Sequence, residues 1–162
     1  MSLKTAYLHG LESNNIGAKN EWLRTFSDVY DPLINYWQKN IYLDIKNTLV
    51  KYNPDLIIGS SMGGFFAYNL AQELNIPAVL FNPAIHSRSF TPDLNGLEKC
   101  NFKPPIHFVF GEADDLIDPK TSIEIIAKNG YTKNNYIVLP HGHRTPYEVF
   151  VREISEFVSN YI

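Results

Sequence analysis

Residues 55–74 read DLIIGSSMGGFFAYNLAQEL. An apolar run of strand length, Leu56-Ile57-Ile58, meets a cluster of two serines and three glycines. A stretch follows in which Ala67, Leu70, Ala71 and Leu74 repeat at helical spacing. The chain must leave a buried strand and enter a helix within a few residues, which forces a sharp turn with a strained central residue. Gly59 and Gly63 flank Ser61 in the pattern G-x-S-x-G. Small residues two before and two after the serine let strand and helix approach closely and leave its hydroxyl exposed above the sheet. By composition alone the pattern arises by chance in roughly one chain of this length in twenty. Its position between an apolar strand and an amphipathic helix is much rarer, so Ser61 is read as a nucleophile and not as part of a structural turn. Ser60 is expected to point to the other side of the turn.

The same alternation of short apolar runs with helical stripes continues along the chain, and it is the signature of a parallel sheet covered by helices. Strands are expected at Lys4 to Leu8, Asp28 to Asp31, Leu56 to Ile58, Ala78 to Phe81, Ile106 to Phe110 and Tyr136 to Leu139. Pro32 marks the second of these as an edge. Helical faces run through Ile41, Ile45 and Leu49, and through Phe150, Ile154, Phe157, Val158 and Tyr161. These stripes are read as core. From Ile85 to Pro105 no period is evident, and Pro92, Gly96, Pro104 and Pro105 read as loop with room for one short helix. The expected fold is α/β, a three-layer sandwich around a mostly parallel six-stranded sheet, built as one domain over residues 1–162.

With 162 residues, 44% of them apolar and 14% aromatic, the chain can bury a real core. Lys and Arg number 14 against 17 Asp and Glu. This mildly acidic balance disfavours nucleic acid and anionic membranes as partners. Cys100 is the only cysteine, so no internal disulfide forms, and zinc spacing is absent. The apolar patch before Gly10 is too short for a signal peptide or a membrane span. A cytoplasmic protein is expected.

A serine hydroxyl needs a base, an acid to orient that base, and donors for the oxyanion. Five histidines are available: His9, His86, His107, His141 and His143. His107 lies inside an apolar run and reads as a packed core histidine, and His86 has no supporting context. The stretch YIVLPHGHRTPYEVF, residues 136–150, places histidine after the last strand and before the last helix, at the sheet edge where open α/β folds bind ligands. There His143 follows a glycine and begins the loop proper, so it is preferred as base over His141. A metal held by the two lacks a third ligand. For the acid, HFVF runs into GEADDLIDP, residues 111–119. Asp118 precedes Pro119 and reads as a helix N-cap, which leaves Asp114 and Asp115 at the loop tip. The first strand ends in HG, where the amide of Leu11 can converge with that of Met62 on an oxyanion if the first and third strands are neighbours. His9 is expected to order this loop.

Taken together, YLHG, GSSMGG, GEADD and HGH resemble the α/β-hydrolase superfamily, and more narrowly the small bacterial esterases of the YqiA/YcfP type. The resemblance spans nearly the whole chain, through LHGLESNNIGAKNEWL, IIGSSMGGFFAYNLAQELNIPAVLFNPA, GEADDLID and HGHRTPYEVF. The serine before the nucleophile and the Asn82-Pro83-Ala84 motif point to the smaller group. In the superfamily the acid stands three residues after a strand-ending glycine, which from Gly111 implies Asp114, and a glycine-histidine pair carries the base, which implies His143. The resemblance thus implies Ser61 as nucleophile, His143 as base, Asp114 as orienting acid, and the Leu11 and Met62 amides as oxyanion hole. The chemistry it implies needs no cofactor, and too few residues separate the fourth and fifth strands for the cap domain of larger relatives. Phe65 is expected to shape the acyl pocket, and the substrate is expected to be a small acyl ester or thioester. Acyl-CoA thioester hydrolysis would call on Lys19, Arg88 and Arg144 for the phosphates. Outside catalysis, the alternative is a hydrolase fold retired to a binding module. A nucleotide-binding sheet is disfavoured because HGLESNNIG lacks a phosphate-loop spacing.

Overall fold

A computed structural model describes residues 2–100 and 102–162. In chain order the elements are β1 (Leu3–Leu8), α1 (Ala18–Phe26), β2 (Ser27–Tyr30), α2 (Ile41–Tyr52), β3 (Leu56–Ser60), α3 (Met62–Leu74), β4 (Ala78–Phe81), β5 (Ile106–Gly111), α4 (Pro119–Lys128), β6 (Tyr136–Leu139) and α5 (Tyr147–Tyr161), with a 3-10 turn at Lys133–Asn135 before β6. The six strands form one sheet in the order β2-β1-β3-β4-β5-β6. All five pairings are parallel, so the expectation of a mostly parallel sheet is sharpened to a wholly parallel one. β2 is an edge, as Pro32 beyond its end implied.

Alternation along the strands divides the core into two layers. Ala6, Leu8, Ile57, Leu80, Phe108 and Phe110 face α2, α3 and α4. Tyr7, Ile58, Val79, Phe81 and Val109 face α1 and α5, meeting Leu23, Phe150, Ile154 and Phe157. The helical stripes expected around Ile41, Ala67 and Phe150 are α2, α3 and α5. Helix α1 carries only Trp22, Leu23 and Phe26 as large apolar residues, too few to stand out as a stripe. The segment from Ile85 to Pro105 holds no helix among its described residues, and Asn101 lies outside them. Asp118 caps α4 as expected, its carboxylate accepting from the Thr121 amide at 2.9 Å. No helix among the described residues is long and apolar enough to cross a membrane.

The strand order reverses direction between β1 and β3, and the loops leaving the C-terminal ends of these two strands flank that switch point. Two features hold the loops there. Gly63, in the first turn of α3, lies so close to the end of β1 that an added Cβ would stand 1.9 Å from the Leu8 carbonyl oxygen. The second is His9, 1% exposed, which holds the loop after β1 through both ring nitrogens. The Gly10 carbonyl can only accept, so Nδ1 carries the proton toward it at 2.7 Å. Nε2 then accepts from the Ile34 amide at 2.8 Å. The Tyr36 hydroxyl donates to the His9 carbonyl. The ring is therefore neutral in the fold, and burial holds its pKa below the ordinary value.

Gly63→Ala will lower stability by more than about 2 kcal/mol, because backbone and not a pliable side chain must move. Gly142→Ala, whose Cβ would meet nothing closer than the Ala113 carbonyl oxygen at 3.6 Å, will stay within about 0.5 kcal/mol, and urea titration of both variants checks the contrast. As pH falls below the free-histidine value near ~6.5, the unfolded chain takes up a proton that folded His9 refuses. The stability His9 contributes is therefore complete above that pH and lost below it, at no more than about 1.4 kcal/mol per pH unit. The difference in urea midpoint between about pH 8 and about pH 5.5, on either side of that value, will be smaller in His9→Gln than in the parent; an equal difference would refute the assignment.

Candidate active site

Ser61 stands between the last residue of β3 and the first of α3, with φ 52° and ψ −114°. No ordinary residue adopts this conformation without strain, and the surroundings must impose it. They do so through backbone bonds on both sides of the serine. Its amide donates to the Phe81 carbonyl at 3.0 Å, and its carbonyl accepts from Ala84 at 2.9 Å and from Phe65 at 3.0 Å. The flanking glycines are needed for close approach: a Cβ on Gly59 would lie 2.5 Å from the Gly63 carbonyl oxygen. Ser60 ends β3 half-buried, and its hydroxyl takes no part in the bonds that gather around Ser61.

The half-buried Ser61 hydroxyl faces His143 Nε2 at 2.9 Å, and His143 Nδ1 faces Asp114 Oδ2 at 2.8 Å. The Asp114 carboxylate is the only one of these groups that can solely accept, which fixes the tautomer. Nδ1–H donates to Asp114, and Nε2 accepts from the Ser61 O–H. Asp114 is itself held by two further donors, the amides of Leu116 and Ile117, each 2.9 Å from Oδ1. Its side chain is 1% exposed, so the carboxylate is locked in one rotamer. Asp115 is exposed, which separates the two aspartates the sequence leaves in competition, and Asp118 is spent on its helix.

His141 lies in the same loop and does not reach Ser61. Its Nδ1 donates to the Gly142 carbonyl at 2.8 Å, and its own carbonyl accepts from Ala113 at 3.1 Å. His86 contacts the Asp118 carbonyl at 3.1 Å, and His107 is paired with Glu153 at 2.8 Å. Among the described residues no group of three or more His, Cys, Asp or Glu is disposed to hold a metal ion.

Gly10 brings the loop after β1 against the serine; a Cβ added there would stand 3.4 Å from Ser61 Cβ. Leu11 follows, and Met62 is the first residue of α3. Neither amide donates to another group among the described residues. Phe65 is 8% exposed, and the Arg88 guanidinium lies over its ring at 4.1 Å. Phe65 follows the serine turn in the first part of α3, its amide bonded to the Ser61 carbonyl at 3.0 Å, and one face of its ring is covered by that guanidinium. A cavity of about 300 Å³ lies between the loop after β1, the start of α1 and the start of α5, lined by Tyr7, Ser13, Asn14, Ile16, Lys19 and Tyr147 and by none of Ser61, His143 or Asp114. Lys19 Nζ donates to the Thr145 carbonyl, two residues after His143, at 2.6 Å. Burial lowers the pKa of that ammonium.

Two residues that position the site carry no role in the sequence reading. Gly111 is needed at the end of β5 because a Cβ would stand 2.4 Å from the carbonyl oxygens of both His141 and Gly142. Asn82, buried and with φ 42°, bonds both the β5 end and the His143 loop. Gly111 was legible only as a counting reference, and Asn82 only as part of a motif; neither residue type announces a side-chain contact across 29 or 61 positions.

Among solved structures, a protein assigned to the alpha/beta hydrolase superfamily from Xanthomonas campestris pv. campestris superposes with a TM-score of 0.75 at 18% identity, covering 98% of this chain and 99% of that one. An esterase of Pyrococcus furiosus gives 0.67 at 18% identity, over 96% and 79%. A hydrolase of Thermoplasma acidophilum described as CIB-like gives 0.65 at 15%, over 98% and 86%. Likeness at this identity establishes the α/β-hydrolase fold and nothing finer. No curated protein matches the sequence. The family model described as "Uncharacterised protein family (UPF0227)" matches residues 4–103, well over half of the chain. The chain therefore belongs to the UPF0227 family.

Proposed function

We propose that this protein is a serine hydrolase that cleaves carboxylic esters through an acyl-enzyme on Ser61. The observation that carries the reading is the unbroken hydrogen-bond chain from the Ser61 hydroxyl through His143 to the buried Asp114 carboxylate, at 2.9 and 2.8 Å. The fold shared with a hydrolase of Xanthomonas campestris pv. campestris and an esterase of Pyrococcus furiosus is consistent with it.

In this mechanism Ser61 Oγ attacks the ester carbonyl carbon while its proton passes to His143 Nε2. The carbonyl oxygen becomes an oxyanion and accepts from the free amides of Leu11 and Met62. As the tetrahedral species collapses, the C–O bond to the alcohol breaks and His143 Nε2–H gives its proton to the leaving oxygen. Water then attacks the acyl carbon, passing a proton to His143. The acid leaves as that proton returns to Ser61 Oγ. Asp114 stays ionised throughout and holds the imidazole in the tautomer that faces the serine.

The same chemistry serves a thioester. An acyl-CoA needs cations free for its phosphates. Lys19 is engaged by the Thr145 carbonyl, and Arg88 donates to the carbonyls of Ala84 and Ile85 at 2.7 and 2.9 Å. Of the three cations named from the sequence only Arg144 stands exposed. This favours simple esters over CoA esters. A binding module retired from catalysis has no use for a strained serine and a correctly oriented imidazole in one chain of bonds.

Ser61→Ala is expected to lower turnover of a p-nitrophenyl ester by about 10⁴ to 10⁶ while circular dichroism stays unchanged, and to abolish labelling by a fluorophosphonate. Folded parent protein that neither labels nor hydrolyses would leave the binding module as the better reading. Asp114→Asn keeps the shape of the side chain but offers an N–H where the imidazole needs an acceptor. It will cost about 10⁴ in kcat, while Asp115→Asn stays within about threefold; equal losses in the two would mean that the acid is misassigned.

A further inference from the structure

The Asn82-Pro83-Ala84 motif at the exit of β4 has no role in the chemistry above, yet it touches all three segments that carry Ser61, Asp114 and His143. Backbone bonds from Ser61 to Phe81 and from Ala84 to Ser61, at 3.0 and 2.9 Å, tie it to the serine turn. The Asn82 amide donates to the Val109 carbonyl of β5 at 2.9 Å. Its side chain does the rest. Oδ1 accepts from the Gly111 amide at 2.7 Å, three residues before Asp114. Nδ2 donates to the carbonyl of His143 at 2.7 Å and to that of Gly142 at 3.3 Å.

We propose that Asn82 is a positioning residue for the hydrolysis assigned to Ser61, its carboxamide clamping the His143 backbone to the end of β5 so that the imidazole stands between Asp114 and Ser61 before substrate arrives. The inference rests on that functional reading. The side chain is 2% exposed and cannot turn over. A flipped amide would set N–H against the Gly111 N–H and oxygen against two carbonyls. The backbone at φ 42° lies in the left-handed region, where asparagine is among the few residues with a side chain that are tolerated. Asparagine alone supplies this backbone, an acceptor on one side and a donor on the other. Aspartate matches its shape and backbone and keeps the acceptor, and it replaces the donor that holds His143 with a charged oxygen set against two carbonyls.

The test therefore compares Asn82→Asp and Asn82→Gly with the parent, by steady-state hydrolysis of a p-nitrophenyl ester and by the low-field proton resonance of His143 Nδ1–H. That resonance is assigned by its loss in His143→Ala. Both variants are expected to lose about 10 to 100-fold in kcat with KM within about threefold, as for a displaced catalytic group. The resonance is expected to broaden or vanish through solvent exchange. Asn82→Gly carries no charge and accepts positive φ freely, so it reports where a buried aspartate prevents folding. A folded variant that keeps a sharp resonance and a kcat within about twofold of the parent overturns the proposal. A parent that cleaves no ester and takes no fluorophosphonate sinks the reading of Ser61, and the resonance still decides on Asn82 by itself.

Discussion

The closest approach at any glycine of the chain is that of the first turn of α3 to the end of β1, where Gly63 leaves no room for even a methyl group beside the Leu8 carbonyl. Everything at the site depends on it. A helix that starts this close to the neighbouring strand cannot be entered by an ordinary turn, so the residue before it is forced into the strained conformation seen at Ser61. The same approach brings the loop after β1 against the serine and leaves the Leu11 and Met62 amides without partners among the described residues. Strain at one residue and free donors at two others thus share one steric cause. The parallel ladder that pairs Leu8 with Gly59 holds β1 beside β3 at this point.

The sheet supplies the convergence that the chain does not. His143 lies 82 positions from Ser61 and 29 from Asp114. Ordering contacts this distant opposes chain entropy, and the cost is met by strand pairing and by burial of the two apolar layers. Because every strand runs the same way, each one ends at the same rim. Three loops that leave β3, β5 and β6 then need only short reaches to meet. The remaining freedom is in the loops themselves, and it is removed locally: by two amides on Asp114, by the crowding of Gly111 against His141 and Gly142, and by Asn82 between them.

This division of labour explains what could be read from the sequence. Strand positions followed from apolar runs, and Ala78–Phe81 and Tyr136–Leu139 have the bounds their composition implies. The serine turn was legible because steric necessity there demands glycine at fixed offsets. The acid was not legible from chemistry alone, since Asp114 and Asp115 are the same side chain one residue apart. What separates them is the direction each points, and that is set by the amides of Leu116 and Ile117 rather than by residue type. Helix α1 leaves no stripe in the sequence because only three of its nine residues are large and apolar, its place being fixed by packing on α5. Phe65 was legible as apolar and near the serine, but the sequence holds no sign that Arg88 covers its face.

A second histidine–carboxylate pair in the same molecule separates composition from function. His107 Nε2 meets Glu153 Oε2 at 2.8 Å, the same separation as between His143 and Asp114, and the Glu153 side chain is 4% exposed. There the resemblance ends. His107 enters near the start of β5, at the rim opposite the serine turn, and Glu153 gives its other oxygen to Arg152. No hydroxyl meets the second nitrogen of that ring among the described residues. The pair joins the sheet to α5 beside Phe157, which is a task for packing. A histidine bonded to a buried carboxylate thus serves here as a structural joint. The His143 pair differs in that the other nitrogen faces a hydroxyl held under strain, and among the described residues that happens once, at the rim where β3, β5 and β6 end.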